Sequence, residues 1–256
     1  MALVGFGSAP ARAGGTSEEL LPDLVTLPIT KGDLIITKRG RQRHLRLTNE
    51  VGNRGRGPLE VGSRKAVPKD GCAPGEFAAI QRIYGDTNRD GEFGRSDDMV
   101  IEPPTRFGCM EFHDAPAHHH WHVLDFAGYR LVRQRNGRRV AGRKIGFCLV
   151  DSRWFVTPPG FSNSPFYGGS CGNTGTPPER EGISVGWADV YGYSLPGQAL
   201  RITRRPRGRY CLISTADPRN LILEGNEANN VRRVKLRLNP RKRRVERLKG
   251  SCRRMT

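Results

Sequence analysis

Polar and apolar residues alternate over short stretches of this chain. From His44 onward the order His44, Leu45, Arg46, Leu47, Thr48 changes face at every residue, the period-two signature of a half-buried strand. Comparable runs at 77–84, 118–126, 129–133, 145–150, 199–203, 210–214 and 231–238 are separated by Gly, Pro, Asn or Asp clusters. Repeated turn-bounded runs of this length predict a mainly β fold, a single β-sandwich domain with long functional loops and little helix. The stretch 20–28 (LLPDLVTLP) reads as an extended lead-in broken by prolines. Residues 151–180, rich in Pro, Gly, Ser and aromatics, read as a long loop of the kind that carries function. The sandwich is expected over 18–238, with residues 1–17 outside it. After Leu238 the chain turns basic (Asn239-Pro240-Arg241-Lys242-Arg243-Arg244), which predicts a C-terminal tail over 239–256, mobile except where Cys252 tethers it.

Composition supports this picture and adds a compartment. A length of 256 residues suits one all-β domain, and 36% hydrophobic residues with 32 Gly and 18 Pro imply many turns and disfavour long helical bundles. No stretch approaches the roughly 18 to 20 consecutive apolar residues of a membrane span. The six cysteines contain no Cys-x-x-Cys pair, so disulfides formed in an oxidising compartment are expected, with buried free thiols as the alternative. Cys148 with Cys171 is the preferred pair because it would clamp a loop holding Pro158, Pro159, Gly168 and Gly169. In the first residues Ala11-Arg12-Ala13 follows a short apolar stub, which reads either as the tail of an export signal or as a plain disordered terminus. The expected location is secreted, extracellular.

The net charge of +18, from 43 Lys+Arg against 25 Asp+Glu, is carried mostly by arginine. Such an excess reads first as a solvated surface, and it would also hold the protein to acidic surface polymers. A nucleic-acid-binding protein is the rival class, since the tail and residues 201–209 (RITRRPRGR) offer phosphate contacts. The chain carries no aromatic-basic motif of a nucleic-acid module.

The most specific chemistry lies in His118-His119-His120-Trp121-His122. On a strand His118, His120 and His122 share one face and His119 points away. Three imidazoles at this spacing predict a metal site for Cu, Zn, Ni or Fe, with coordination positions left open for water, oxygen or substrate.

With these residues in place, the chain resembles the lysyl oxidase family, in particular its compact bacterial members without accessory domains. The His-x-His-x-His row is followed by Asp125-Phe126 and Tyr129. The run Arg143-Lys144-Ile145-Gly146-Phe147-Cys148-Leu149-Val150-Asp151 is similar to the family's Lys-x-x-Phe-Cys-Leu-x-Asp. Gly186-Trp187-Ala188-Asp189-Val190-Tyr191 matches its Asp-x-Tyr, and Gly208-Arg209-Tyr210 with 224–231 resembles its last two strands. The resemblance implies copper, Cu(II), on His118, His120 and His122. It also implies a lysine tyrosylquinone cofactor made from Lys144 and Tyr191, 47 positions apart. The implied activity is oxidative deamination of primary amines, small amines or peptidyl lysine, by O2 to aldehydes, ammonia and hydrogen peroxide. Asp189 and Asp125 are the candidates for the proton-abstracting base because they stand beside motif residues. Where animal members have Gly-Cys-Tyr-Asp-x-Tyr this chain has Trp187 and Ala188, so one disulfide is missing there. The alternative is a non-catalytic metal-binding adhesion or structural sandwich.

A second ion site is suggested by Asp86-Thr87-Asn88-Arg89-Asp90-Gly91-Glu92, with Asp97 at the twelfth position. The spacing follows an EF-hand calcium loop in which Asp replaces the usual Glu, without flanking helix patterns. Asp86, Asn88, Asp90, Glu92 and Asp97 are therefore candidate Ca(II) ligands. A plain hairpin turn is the alternative.

Overall fold

The computed structural model describes residues 18–115, 118–156 and 164–252, apart from the side chains of residues 102–105, 118, 143 and 144. Seventeen strands are assigned among the described residues. The first seven are β1 (Glu18–Leu20), β2 (Leu24–Thr26), β3 (Leu34–Arg39), β4 (Gln42–Leu47), β5 (Asn49–Asn53), β6 (Leu59–Lys65) and β7 (Phe77–Asp86). The centre of the chain forms β8 (Met99–Ala115), β9 (His118–Arg133), β10 (Arg139–Phe147) and β11 (Arg153–Trp154). Then follow β12 (Glu181–Ile183), β13 (Trp187–Tyr191), β14 (Ala199–Arg201), β15 (Gly208–Ala216), β16 (Val231–Asn239) and β17 (Arg244–Arg247). Among the described residues the helical content is a single 3-10 turn at Pro68–Asp70. No helix among the described residues is long and apolar enough to cross a membrane. The mainly β fold expected from the alternation is the fold observed.

The strands form three sheets, with every pairing antiparallel. A ten-stranded sheet runs β12-β6-β7-β8-β9-β15-β16-β17, with β1 also on β7 and β10 also on β9. A four-stranded sheet runs β11-β13-β5-β2, and a three-stranded one β14-β4-β3. One apolar cluster joins all three: Val51 and Tyr191 from the second sheet and Leu45 and Leu200 from the third meet Met110, Phe126, Leu131 and Leu236 from the first. This shared core is what brings β13 against β9 and β10.

Several strand boundaries differ from the sequence pattern, each for a physical reason. The breaks expected between Phe126 and Tyr129 and before Ile145 are absent. β9 runs unbroken to Arg133, and β10 starts at Arg139 and ends at Phe147 because its backbone pairs along β9. β8, the longest strand, was not predicted, since its Pro103-Pro104 pair and its charges mask any alternation. The lead-in at 20–28 contributes β2, which Glu224 ties down: the Leu24 N–H donates to its Oε2 at 2.6 Å and the Asn230 amide to its Oε1 at 2.9 Å. Beyond Leu238, where a basic tail was expected, β17 pairs with β16, and Cys252 is bonded to Cys211. Residues 1–17, with the Ala11-Arg12-Ala13 motif, lie outside the described residues.

Candidate functional site

Two neighbouring strands gather the histidines. β8 and β9 pair with Glu111 opposite His122, His113 opposite His120 and Ala115 opposite His118. Residues two apart on a strand share a face, so Glu111, His113, His120 and His122 stand on one side of this hairpin. Trp121 and Val123, both buried, alternate with them. The rings of His113 and His122 stack with centroids 5.1 Å apart, and those of His120 and His122 lie 4.9 Å apart. His118 continues the register, but its side chain lies outside the described residues. His119 pairs instead with Asp114, its Nδ1 2.8 Å from Oδ1. His113 is a site residue that the sequence pattern did not single out; only the β8–β9 register reveals it.

Tyr191 meets this cluster from the second sheet. Its ring stands edge-on to His122 with centroids 6.3 Å apart. It stacks on Phe147 at 3.7 Å, and its hydroxyl accepts the Cys148 N–H at 2.7 Å. Phe147 closes β10, the strand that carries Lys144 opposite Gly128. The Lys144 side chain lies outside the described residues, but the segment that bears it runs directly onto the Tyr191 ring. Burial, and after it the negative charge of Asp189, pushes the Tyr191 hydroxyl above the ordinary phenol range, while the Cys148 N–H opposes the shift.

A pocket of about 230 Å³ opens here, with Glu111, His113, His122, Asp125, Gly146 and Tyr191 among its lining residues. Asp125 reaches the wall through a bulge. Ile145 pairs with Ala127 and Phe147 with Val123, so β9 holds two residues more than β10 over this interval, and Asp125 takes φ +57°. Arg219 lies 3.2 Å from its Oδ2. Asp189 is not among the lining residues. It is 1% exposed, two positions before Tyr191, and accepts the Ser152 hydroxyl at 3.1 Å. Its carboxyl is held well above the usual range by burial. The fully buried Glu181 is raised likewise, by burial and then by Asp189. The candidate calcium residues Asp86, Asn88, Asp90, Glu92 and Asp97 form the β7–β8 connection and do not line this pocket.

Close packing fixes the arrangement. A Cβ on Gly146 would stand 3.0 Å from both the Cβ of His122 and the carbonyl oxygen of Val123, so any side chain there would crowd β10 against the histidine strand. The expected Cys148–Cys171 disulfide is present, as are Cys72–Cys109 and Cys211–Cys252. Trp121 anchors the far side of that bridge: its backbone N–H donates to the Cys171 carbonyl at 2.8 Å and its indole N–H to that of Asn173 at 2.9 Å. Asp151 ties the remaining loop through the N–H groups of Phe166, Tyr167 and Ser184.

The donor set fits a transition metal. Clustered imidazoles suit copper or zinc, and with all six cysteines in disulfides no thiolate competes.

Comparison with known proteins agrees with this chemistry. The family model described as lysyl oxidase matches residues 90–247, more than half of the chain. The chain is similar to Lysyl oxidase homolog 1 of Homo sapiens, 32% identical over 121 residues that make up 46% of this chain and 19% of that protein. It is also similar to Protein-lysine 6-oxidase of Homo sapiens, 33% identical over 146 residues, 56% of this chain and 31% of the relative. The Sus scrofa protein of the same name is 33% identical over 146 residues, 52% of its length. In each case the match spans about half of the relative's length or less. The matched region holds β9, the Phe147–Cys148 segment and Tyr191, and the chain belongs to the lysyl oxidase family.

Proposed function

We propose that this protein is a secreted copper amine oxidase of the lysyl oxidase type, which turns primary amines, small or peptidyl lysine, into aldehydes with release of ammonia and hydrogen peroxide. The observation that carries this reading is the contact of Tyr191 with both the His122 ring and the Phe147–Cys148 end of the strand bearing Lys144. His118, His120 and His122 would hold the copper, with His113 beside them, and Lys144 and Tyr191 would form the lysine tyrosylquinone. When bound, copper supplies redox chemistry toward dioxygen, and the quinone supplies an electrophilic carbonyl for an amine.

The chain's own residues do the rest. Phe147 and the Cys148 N–H fix the plane and the oxygen of the Tyr191 ring. The ring's burial keeps water from that side. A proton leaving the carbon next to the substrate amine passes to a carboxylate on the pocket wall, where Asp125 and Glu111 stand. Asp189, off the wall, accepts the Ser152 hydroxyl and so fixes the strand two residues before Tyr191. The three disulfides support the extracellular assignment. The basic surface offers a hold on acidic polymers.

The test is copper-loaded protein treated with phenylhydrazine, followed by peptide mapping and a peroxide assay over an amine panel. A coloured adduct on a Tyr191 peptide cross-linked to Lys144, with amine-dependent peroxide, is expected. Separate unmodified peptides and no peroxide would leave a non-catalytic metal-binding β protein in its place.

A further inference from the structure

The β7–β8 connection carries polar groups that the pocket does not use. Asp86 ends β7 and is 4% exposed. Its Oδ2 accepts the Gly91 N–H at 2.9 Å and lies 3.3 Å from the Arg56 guanidinium. Its Oδ1 is fully buried and has no hydrogen-bond partner. A buried carboxylate oxygen without a donor is costly, and the structure offers it no protein group. Because Oδ2 is held on the amide of Gly91, where φ is +82°, the carboxylate sits inside the bend of the loop.

Three other side chains of the loop meet one another on its exposed side. The Asn88 amide nitrogen lies 2.9 Å from Asp90 Oδ2 and 2.8 Å from Asp97 Oδ2, so the third, fifth and twelfth positions already meet around one donor. Asp98 accepts the N–H groups of Thr87 at 2.9 Å and Gly94 at 2.8 Å, which clasps the two ends of the loop without drawing on Asp86 Oδ1. Arg56 pairs with both Asp86 and Glu18, and among the described residues no ion pair is formed by Asp90 or Asp97. All the converging groups are hard oxygen donors or an amide that can present its oxygen.

We propose that the loop from Asp86 to Asp97 binds a calcium ion through the side chains of Asp86, Asn88, Asp90 and Asp97, with the Glu92 carbonyl at the seventh position. The unsatisfied Asp86 Oδ1 gains a cation, and the Asn88 amide turns its oxygen inward. The ion stiffens more than the loop. Phe93 meets Tyr84 edge-on at 4.7 Å, and Arg95 stacks over Phe166 at 3.0 Å and reaches Glu60 at 3.5 Å, so the loop braces the Phe166–Tyr167 segment held by Asp151. The role is structural and independent of amine oxidation.

The test uses the whole chain stripped with a chelator, titrated with calcium chloride by calorimetry and melted with and without the ion. Expected are binding with a dissociation constant of about 0.1 to 1 mM and a Tm raised by roughly 5 °C near saturation. Magnesium at the same concentration should give no rise. Asp90 and Asp97 are exposed, so Asp90→Asn/Asp97→Asn should keep the metal-free Tm of the wild type and lose the calcium shift. Asp97→Asn alone should weaken it at least tenfold. Melting of the wild type that ignores calcium, a shift undiminished in the double variant, or an equal shift with magnesium would each overturn the assignment.

Discussion

The Tyr191 hydroxyl accepts the backbone N–H of Cys148 at 2.7 Å across 43 residues of chain. That one bond joins the four-stranded sheet to the end of β10. It makes two different demands on Tyr191, as a structural acceptor and as the proposed precursor of the quinone. Tyr191→Phe separates them. The half-buried N–H loses its acceptor at a cost of about 1 to 2 kcal/mol, which lowers the Tm of metal-free protein by roughly 3 to 6 °C. Scanning calorimetry reads this loss. Phenylhydrazine should leave the same variant uncoloured even after copper loading.

Gly146→Ala probes the approach of β10 to the histidine strand. Both nearest atoms, the His122 Cβ and the Val123 carbonyl oxygen, belong to rigid parts of β9 at 3.0 Å, so the strands must part. A destabilisation of about 1 to 3 kcal/mol is expected, with weaker copper retention. Urea melts and the metal content after dialysis check the two effects separately.

Cys148→Ser/Cys171→Ser removes a bridge that spans 23 residues. A loss of about 3 kcal/mol follows from the freed loop. Because Trp121 donates to the carbonyls of Cys171 and Asn173, its fluorescence should shift to the red before global unfolding. Unchanged emission below the main transition would contradict the coupling.

Glu224 gives a pH dependence. Burial pushes its carboxyl from 4.5 up to about 8, against the opposing Leu24 N–H and Asn230 amide. A carboxyl that holds its proton more tightly when folded contributes its full stability below pH 4.5, and that contribution is lost as pH rises toward 8. In chelator-treated buffer the Tm of the wild type should therefore fall relative to Glu224→Gln between these limits. Parallel Tm curves for the two proteins would contradict the shift.

What the sequence discloses here depends on whether the information is periodic. The row His118, His120, His122 is legible because strand alternation needs only one strand. His113 is not, because its role comes from lying opposite His120, and the prolines of β8 hide that strand. The loop bounded by Cys148 and Cys171 is rich in turn residues, so a clamp is a local inference. The position of Asp125 depends on a bulge that exists only where β9 and β10 fall out of step. Asp189 illustrates the limit of adjacency: its place beside Tyr191 in the motif suggested proton abstraction, yet strand geometry leaves it off the pocket wall. The Arg244–Arg247 run looked like tail because charge conceals strands that form by pairing, here with Arg237 against Glu246 at 3.0 Å.

That last strand closes one border of the ten-stranded sheet. Its charged residues Arg244, Glu246 and Arg247 deter any other chain from annealing there, and the Cys211–Cys252 link keeps it from peeling away. Were that link reduced and β17 released, the backbone edge of β16 would be open to pairing with another copy of the molecule. The Cys211–Cys252 staple thus guards the border of the sheet against association.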